Sequence, residues 1–288
     1  MEGLQTVGSA LLTLGLVAMA VALSFYERLG LEKDIGVAVV RSFVQLAAIG
    51  YVIDFIFGLD SLEVVVLLLA GMVLFAAWTS ARRAGDVPRA FLVAAVAVGV
   101  AAVATLGLLL TLRIVPATAR YLIPLGGMVI GNSMNAASLT MTRIRDDVAE
   151  QRPKVEAALA LGATSRQAVA PILRTALQSA LIPLIDATKT TGIIFLPGAM
   201  VGMIIAGADP LEAVRLQIVV LYMLLGSVSI AAILVGTLSY RYFFTPRHQL
   251  QTSPPSTKRR HTNHSPPQNV PFAVRRGRHR TKPDKLKC

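Results

Sequence analysis

Several polar side chains interrupt the apolar stretches of this 288-residue chain at spacings that pair them on helix faces. Arg41 and Gln45 lie one turn apart, as do Asp186 and Lys189, so each pair shares a face if its segment is helical. An ionisable group inside a membrane-spanning helix costs roughly 3 kcal/mol at the helix centre, so it needs a partner or a water-filled path. Arg41 with Gln45 is therefore read as a cavity-lining pair, with snorkelling of Arg41 to the cytoplasmic interface as the alternative. Asn132, Ser133, Asn135 and Ser138 cluster beside Gly126, Gly127 and Gly131. Such a set either packs helices closely and hydrogen-bonds between them or gives a transport path a polar lining, with Asn132 and Asn135 facing a dimer axis. Asp186 and Lys189 form an intrahelical ion pair near the cytoplasmic end of their span, or Asp186 is a metal ligand. Asp209, Pro210 and Glu212 read as N-cap, first turn and third position of a helix, against a role in releasing a cation outside.

The chemistry these residues leave out is as informative. No GxxxxGK[ST] stretch occurs, so the chain has no loop to cradle nucleotide phosphates and is not expected to be an enzyme. It is expected to bind no cofactor. The one cysteine is Cys288 and all four histidines follow position 246, so a cation crossing the apolar body would meet Asp, Asn, Ser, Thr and carbonyl oxygens, or methionine sulfur. Metal ligands are not assigned.

Residues 141–175 carry a different pattern. Pro153 suits the first turn of a helix, Lys154 to Leu161 continue it, and Gly162 supplies the left-handed residue that ends it. Thr164 then caps a second helix, with Gln167 completing a capping box. The short helix lies along the cytoplasmic face, and Val155, Ala158, Leu159 and Gly162 offer small or apolar surface to a groove on another protein; the alternative is an amphipathic helix that only closes a loop.

The elements that position these groups follow from hydropathy. The chain is 54% hydrophobic and 15% charged, with apolar runs repeated from end to end, which points to an all-α polytopic membrane protein. Seven spans are expected: Leu4–Leu23, Gly36–Phe57, Leu62–Ser80, Ala90–Leu112, Tyr121–Thr140, Ala176–Ala206, which Pro197-Gly198 interrupts, and Leu216–Tyr240. In the sixth, Gly198, Gly202 and Ala206 mark a close-packed face. Connections after odd spans carry eleven Lys/Arg and those after even spans three, which places the N-terminus outside and the C-terminus in the cytoplasm. Of the net charge of +12, +10 belongs to 246–288. That segment, rich in Pro, Ser, Thr and Asn, is expected to be a disordered basic cytoplasmic tail following a permease domain at 1–245. The charge thus points to membrane lipid rather than nucleic acid.

The segment KVEAALALGATSRQAVAPIL (Lys154 to Leu173) resembles the EAA-type coupling loop of ABC transporter permeases. RSFVQLAAIGYV (Arg41 to Val52), IPLGGMVIGNSMNAASLTMTR (Ile123 to Arg143) and LPGAMVGMIIAGADPLEAVRLQ (Leu196 to Gln217) are similar to the FetB-like permeases, a family associated with bacterial iron export and with plant aluminium tolerance. The resemblance implies a permease homodimer in the bacterial cell (inner) membrane, exporting iron or another metal ion. ATP and magnesium would sit on a separate ABC ATPase subunit, coupled through Glu156, Ala157, Ala158, Leu159 and Gly162. Arg41, Gln45, Asn132, Asn135, Asp186 and Lys189 are the candidate transport path. An ion-coupled secondary transporter, with Arg41, Asp186 and Lys189 as a relay, and a scaffold using its basic tail are the competing readings.

Overall fold

The computed structural model describes residues 2–59, 61–245, 249 and 250, with side chains from Leu14 onward except at 54, 55 and 57–59. The expected tail therefore lies outside the described residues apart from Gln249 and Leu250. The helices in chain order are α1 (Glu2–Tyr26), α2 (Glu32–Leu59), α3 (Leu62–Ala84), α4 (Ala90–Thr111), α5 (Ala119–Glu150), α6 (Arg152–Ala160), α7 (Ser165–Thr190), α8 (Gly198–Ile205) and α9 (Pro210–Ser239), followed by a 3-10 turn, Tyr240–Phe243. Among the described residues there are no strands, only two isolated bridges.

Five of these helices are long and apolar enough to cross a membrane: α2, α3, α4, α7 and α9. The other two expected spans coincide with α1, apolar over Leu14–Tyr26, and with α5, whose asparagines and serines dilute its hydropathy. That polar helix is the hub of the bundle, packing against α3, α4, α7 and α9. Its neighbours approach closely because the contact positions are small. Ala94, Ala97, Ala101 and Ala102 of α4 are buried at helical spacing, and Gly126 of α5 takes Leu69 of α3 where any larger residue would collide with it.

The sixth expected span needs correcting. The helix starts at Ser165, because the capping box at Thr164 runs it continuously through Pro171 and Pro183, and it stops at Thr190. The break expected at Pro197-Gly198 falls earlier, at Thr191–Leu196, where Gly192 adopts φ 85° and its N–H donates to the Phe195 carbonyl (2.9 Å). Pro197 is the N-cap of α8. Among the described residues the close-packed face expected from Gly198, Gly202 and Ala206 is not formed: α8 has no buried residue, and a Cβ added at either glycine meets nothing within 4 Å.

Candidate functional site

Two short helices meet two long ones at glycine corners, and the first of these holds the expected coupling residues. At the end of α6 Leu161 stays near helical geometry, and Gly162 follows at φ 88°. The Gly162 N–H donates to the Leu159 carbonyl (3.0 Å) and the Ala163 N–H to the Ala158 carbonyl (3.1 Å), the paired bonds of a Schellman turn. Thr164 Oγ1 then accepts from the Gln167 N–H (3.4 Å) and Gln167 Oε1 from the Thr164 N–H (2.9 Å), so the capping box expected there is present.

Which face α6 presents is set by packing. Val155, 2% exposed, enters a cluster with Ile144, Val148, Val169, Ile172, Ala176 and Phe244, and Leu159 packs against it. Val155 and Leu159 thus turn inward instead of offering apolar surface outward, because they lie one turn apart on the face that meets α5 and α7. Ala158 is half-buried. Glu156, Ala157, Ala160, Leu161 and Gly162 are exposed, Leu161 at 90%. Glu156 is held by Arg152 on the same helix (2.8 Å). Leu250 also packs on the cluster, and the Thr245 N–H donates to the Gln249 carbonyl (2.8 Å).

The polar cluster of α5 divides between two jobs. Ser138 is buried and hydrogen-bonds within reach of α3: its hydroxyl meets Ser80 Oγ (3.2 Å) and the Met134 carbonyl (2.8 Å), to which Ser80 also donates (3.1 Å). Ser133 is buried with its hydroxyl unpartnered among the described residues. The asparagines instead line a groove of about 300 Å³ with Ala136, Leu139, Ala180, Pro183, Leu184, Ala187 and Val228, between α5, α7 and α9. Asn132 Nδ2 donates back to the Met128 carbonyl (2.8 Å), leaving its Oδ1 free to meet a solute. Asn135 Oδ1 accepts from Arg83 Nη1 of α3 (2.9 Å), so a guanidinium stands at the edge of this groove.

The remaining expected residues are not brought to that groove. Arg41 and Gln45 are exposed on α2, which is open on every side from Val40 to Val52. Asp186 and Lys189 form the expected intrahelical ion pair (3.2 Å), both exposed. They stand within one turn of the end of α7 that lies away from α6, because α7 begins eleven residues before the span it was expected to open. Asp209 Oδ1 accepts from the Leu211 N–H (2.7 Å) and the Glu212 N–H (3.2 Å), with Pro210 in the first turn, so this acid caps α9. Among the described residues no three of His, Cys, Asp and Glu gather closely enough to hold a metal ion.

A family model described as "Uncharacterised protein family (UPF0014)" matches residues 7–244 of this chain. The chain belongs to UPF0014. Within it, the UPF0014 membrane protein STAR2 of Oryza sativa subsp. japonica is 49% identical over 234 residues, 81% of this chain and 82% of that one. Protein ALUMINUM SENSITIVE 3 of Arabidopsis thaliana is 44% identical over 236 residues, covering 82% and 86%. The probable iron export permease protein FetB of Escherichia coli (strain K12) is 38% identical over 242 residues, covering 84% and 93%. No solved structure matches. This UPF0014 chain is thus a multi-pass membrane protein of a permease family.

Two arginines of this UPF0014 protein do work that sequence reading assigned only to charge bias. Arg83 reaches Asn135, and Arg145 Nη1 donates to the Ala84 carbonyl (2.6 Å), capping α3 with a positive charge at its negative end. Gly85 belongs to the same cap: it sits at φ 66°, and a Cβ there would stand 2.7 Å from Arg145 Nη1. The available signal was Arg-Ala-Gly closing an apolar run, a helix end in need of a cation.

Proposed function

We propose that this chain is the permease subunit of an ABC-type exporter, which forms the transmembrane path while a separate ABC ATPase subunit binds ATP and magnesium. In this reading the chain has seven spans, with its N-terminus outside and its C-terminus in the cytoplasm, and works as a homodimer in a bacterial cell (inner) membrane. One observation carries the coupling role: α6 is anchored from behind by Val155 and Leu159, yet leaves Leu161 90% exposed beside Glu156 and Ala157. Arg143, Arg145, Arg152, Lys154, Arg166 and Arg174 surround this corner in sequence, so it stands in water, where lipid does not cover the leucine. Covering such a side chain gains roughly 1.5–3 kcal/mol, and a shallow groove on an ATPase would do so.

The cargo class, iron or another metal ion, is supported by the relative named as a probable iron export permease. The Asn132–Asn135 groove is the part of this chain we assign to a partly hydrated cation, since the Oδ1 of Asn132 is left open there. Arg83 at its edge disfavours cation retention, which suits release over storage.

The test is co-purification. The chain is expressed with candidate P-loop ATPase subunits from the same genome, as wild type and with Glu156→Arg and Gly162→Trp in the coupling helix. The expected result is a wild-type complex that the double variant fails to form while remaining in the membrane fraction. A variant that assembles as the wild type does overturns the coupling role.

A further inference from the structure

A second groove, of about 680 Å³, runs between α2, α3 and α5, and the transport reading does not use it. Its walls are apolar, with Val52 and Ile56 from α2, Met72 and Phe75 from α3, and Ile130 and Met134 from α5. Along α3 the lining runs from Val64 to Ala76, about 18 Å at 1.5 Å per residue. One leaflet of a bilayer has a hydrocarbon depth of roughly 15 Å, half of the whole core. The floor contains real space: Gly71 and Gly131 both line the groove, and a Cβ added at either meets nothing within 4 Å.

One end of this slot is cationic. From Phe75 a ladder of rings leads out of it, with Trp78 at 5.6 Å between centroids and the Arg82 guanidinium 4.9 Å from the Trp78 ring centre. The next residue, Arg83, is tied to Asn135 one position beyond the lining residue Met134.

An apolar slot one leaflet deep with the guanidinium groups of Arg82 and Arg83 beyond one end complements an amphiphile with a long acyl chain and an anionic head. We propose that this groove binds one acyl chain of an anionic phospholipid, whose phosphate is held by Arg82 and Arg83. Guanidinium forks match phosphate oxygens, and Trp78 stands where an aromatic ring favours the headgroup level. The proposal rests on membrane residence alone, so it stands or falls apart from the coupling role of α6.

Native mass spectrometry of the full chain in detergent tests it with phosphatidylglycerol, with phosphatidylcholine of the same acyl chains, and with inorganic phosphate as competitor. The expected result is about tenfold stronger retention of phosphatidylglycerol, the preference of a few basic residues for an anionic head. R82Q/R83Q removes the preference, and Gly131→Leu, which fills the slot, lowers retention of both lipids. Gly71→Leu fills it from the α3 wall, so the slot remains tested if Gly131→Leu does not fold. Equal retention of the two lipids by the wild type overturns the proposal, as does unchanged retention in the filled variants or displacement by inorganic phosphate. A disulfide-linked dimer of Phe75→Cys in a Cys288→Ser background, formed in vesicles, would mean that a second copy covers the groove and overturns it too.

Discussion

At Gly162 a helix of nine residues turns into one of 26, and at Gly207 a helix of eight turns into one of 30. The two corners share their backbone. Gly207 sits at φ 90°, its N–H donates to the Ile204 carbonyl (3.0 Å) and the Ala208 N–H to the Met203 carbonyl (3.0 Å), the same Schellman pair as at Gly162. A side-chain cap follows two residues later in each, Thr164 in one and Asp209 in the other. What differs is the load on the short helix. Val155 fixes α6 to α5 and α7, whereas α8 has no fully buried residue and packs against α9 through half-buried side chains, leaving Ile205 at 81% exposure and, in the turn before the helix, Ile193 and Ile194 at 87% and 76%. Local sequence builds the corner, and the buried side chain decides whether the short helix is fixed to the long ones.

Charge placed on the two short helices separates them most strongly. Val155→Asp buries an unpaired carboxylate and is expected to cost more than about 4 kcal/mol, while Ile205→Asp stays within about 0.5 kcal/mol. Thermal unfolding of both variants in detergent measures the gap, and equal losses would erase the distinction. Valine at either glycine probes what the corners share: Gly162→Val and Gly207→Val each force a β-branched residue to positive φ and are expected to cost about 1–3 kcal/mol. A Cβ meets nothing within 4 Å at either site, so the cost is backbone strain and the two losses should agree. Thr164→Ala and Asp209→Ala remove one cap each, about 1 kcal/mol apiece in the same assay; a loss at one corner alone would show that the caps are not equivalent. Smallest of all is Lys189→Ala, which breaks an exposed ion pair and should shift stability by less than about 0.5 kcal/mol; a larger shift would mean that the pair is covered by another surface.

The caps were legible because their partners lie within four residues along the chain, where propensity and hydrogen bonding act together. The spans of α3, α4 and α9 were legible because an apolar run of that length has one solvent that suits it. The end of α7 was not. Hydropathy runs on past Thr190 into Ile193 and Ile205, and it does not register the change of backbone direction at Gly192; the signal was two β-branched threonines before a glycine. The inward turn of Val155 was hidden for another reason: a helix of nine residues has too few positions for periodicity to say which of its apolar faces is covered. Arg83 to Asn135 and Arg145 to Ala84 join residues 52 and 61 apart, and contacts of that span follow from the packing of α3 against α5 rather than from any local pattern.

The central claim, that α6 and not α8 meets the proposed motor, is tested most directly by ATP hydrolysis in proteoliposomes containing the chain and the ATPase subunit it is proposed to serve. The measurement compares A157R/L161D on α6 with Ile205→Asp on α8. The account predicts that the α6 variant loses the stimulation of hydrolysis by the permease while its thermal midpoint stays at the wild-type value, and that the α8 variant keeps both. Full stimulation in the α6 variant would contradict it.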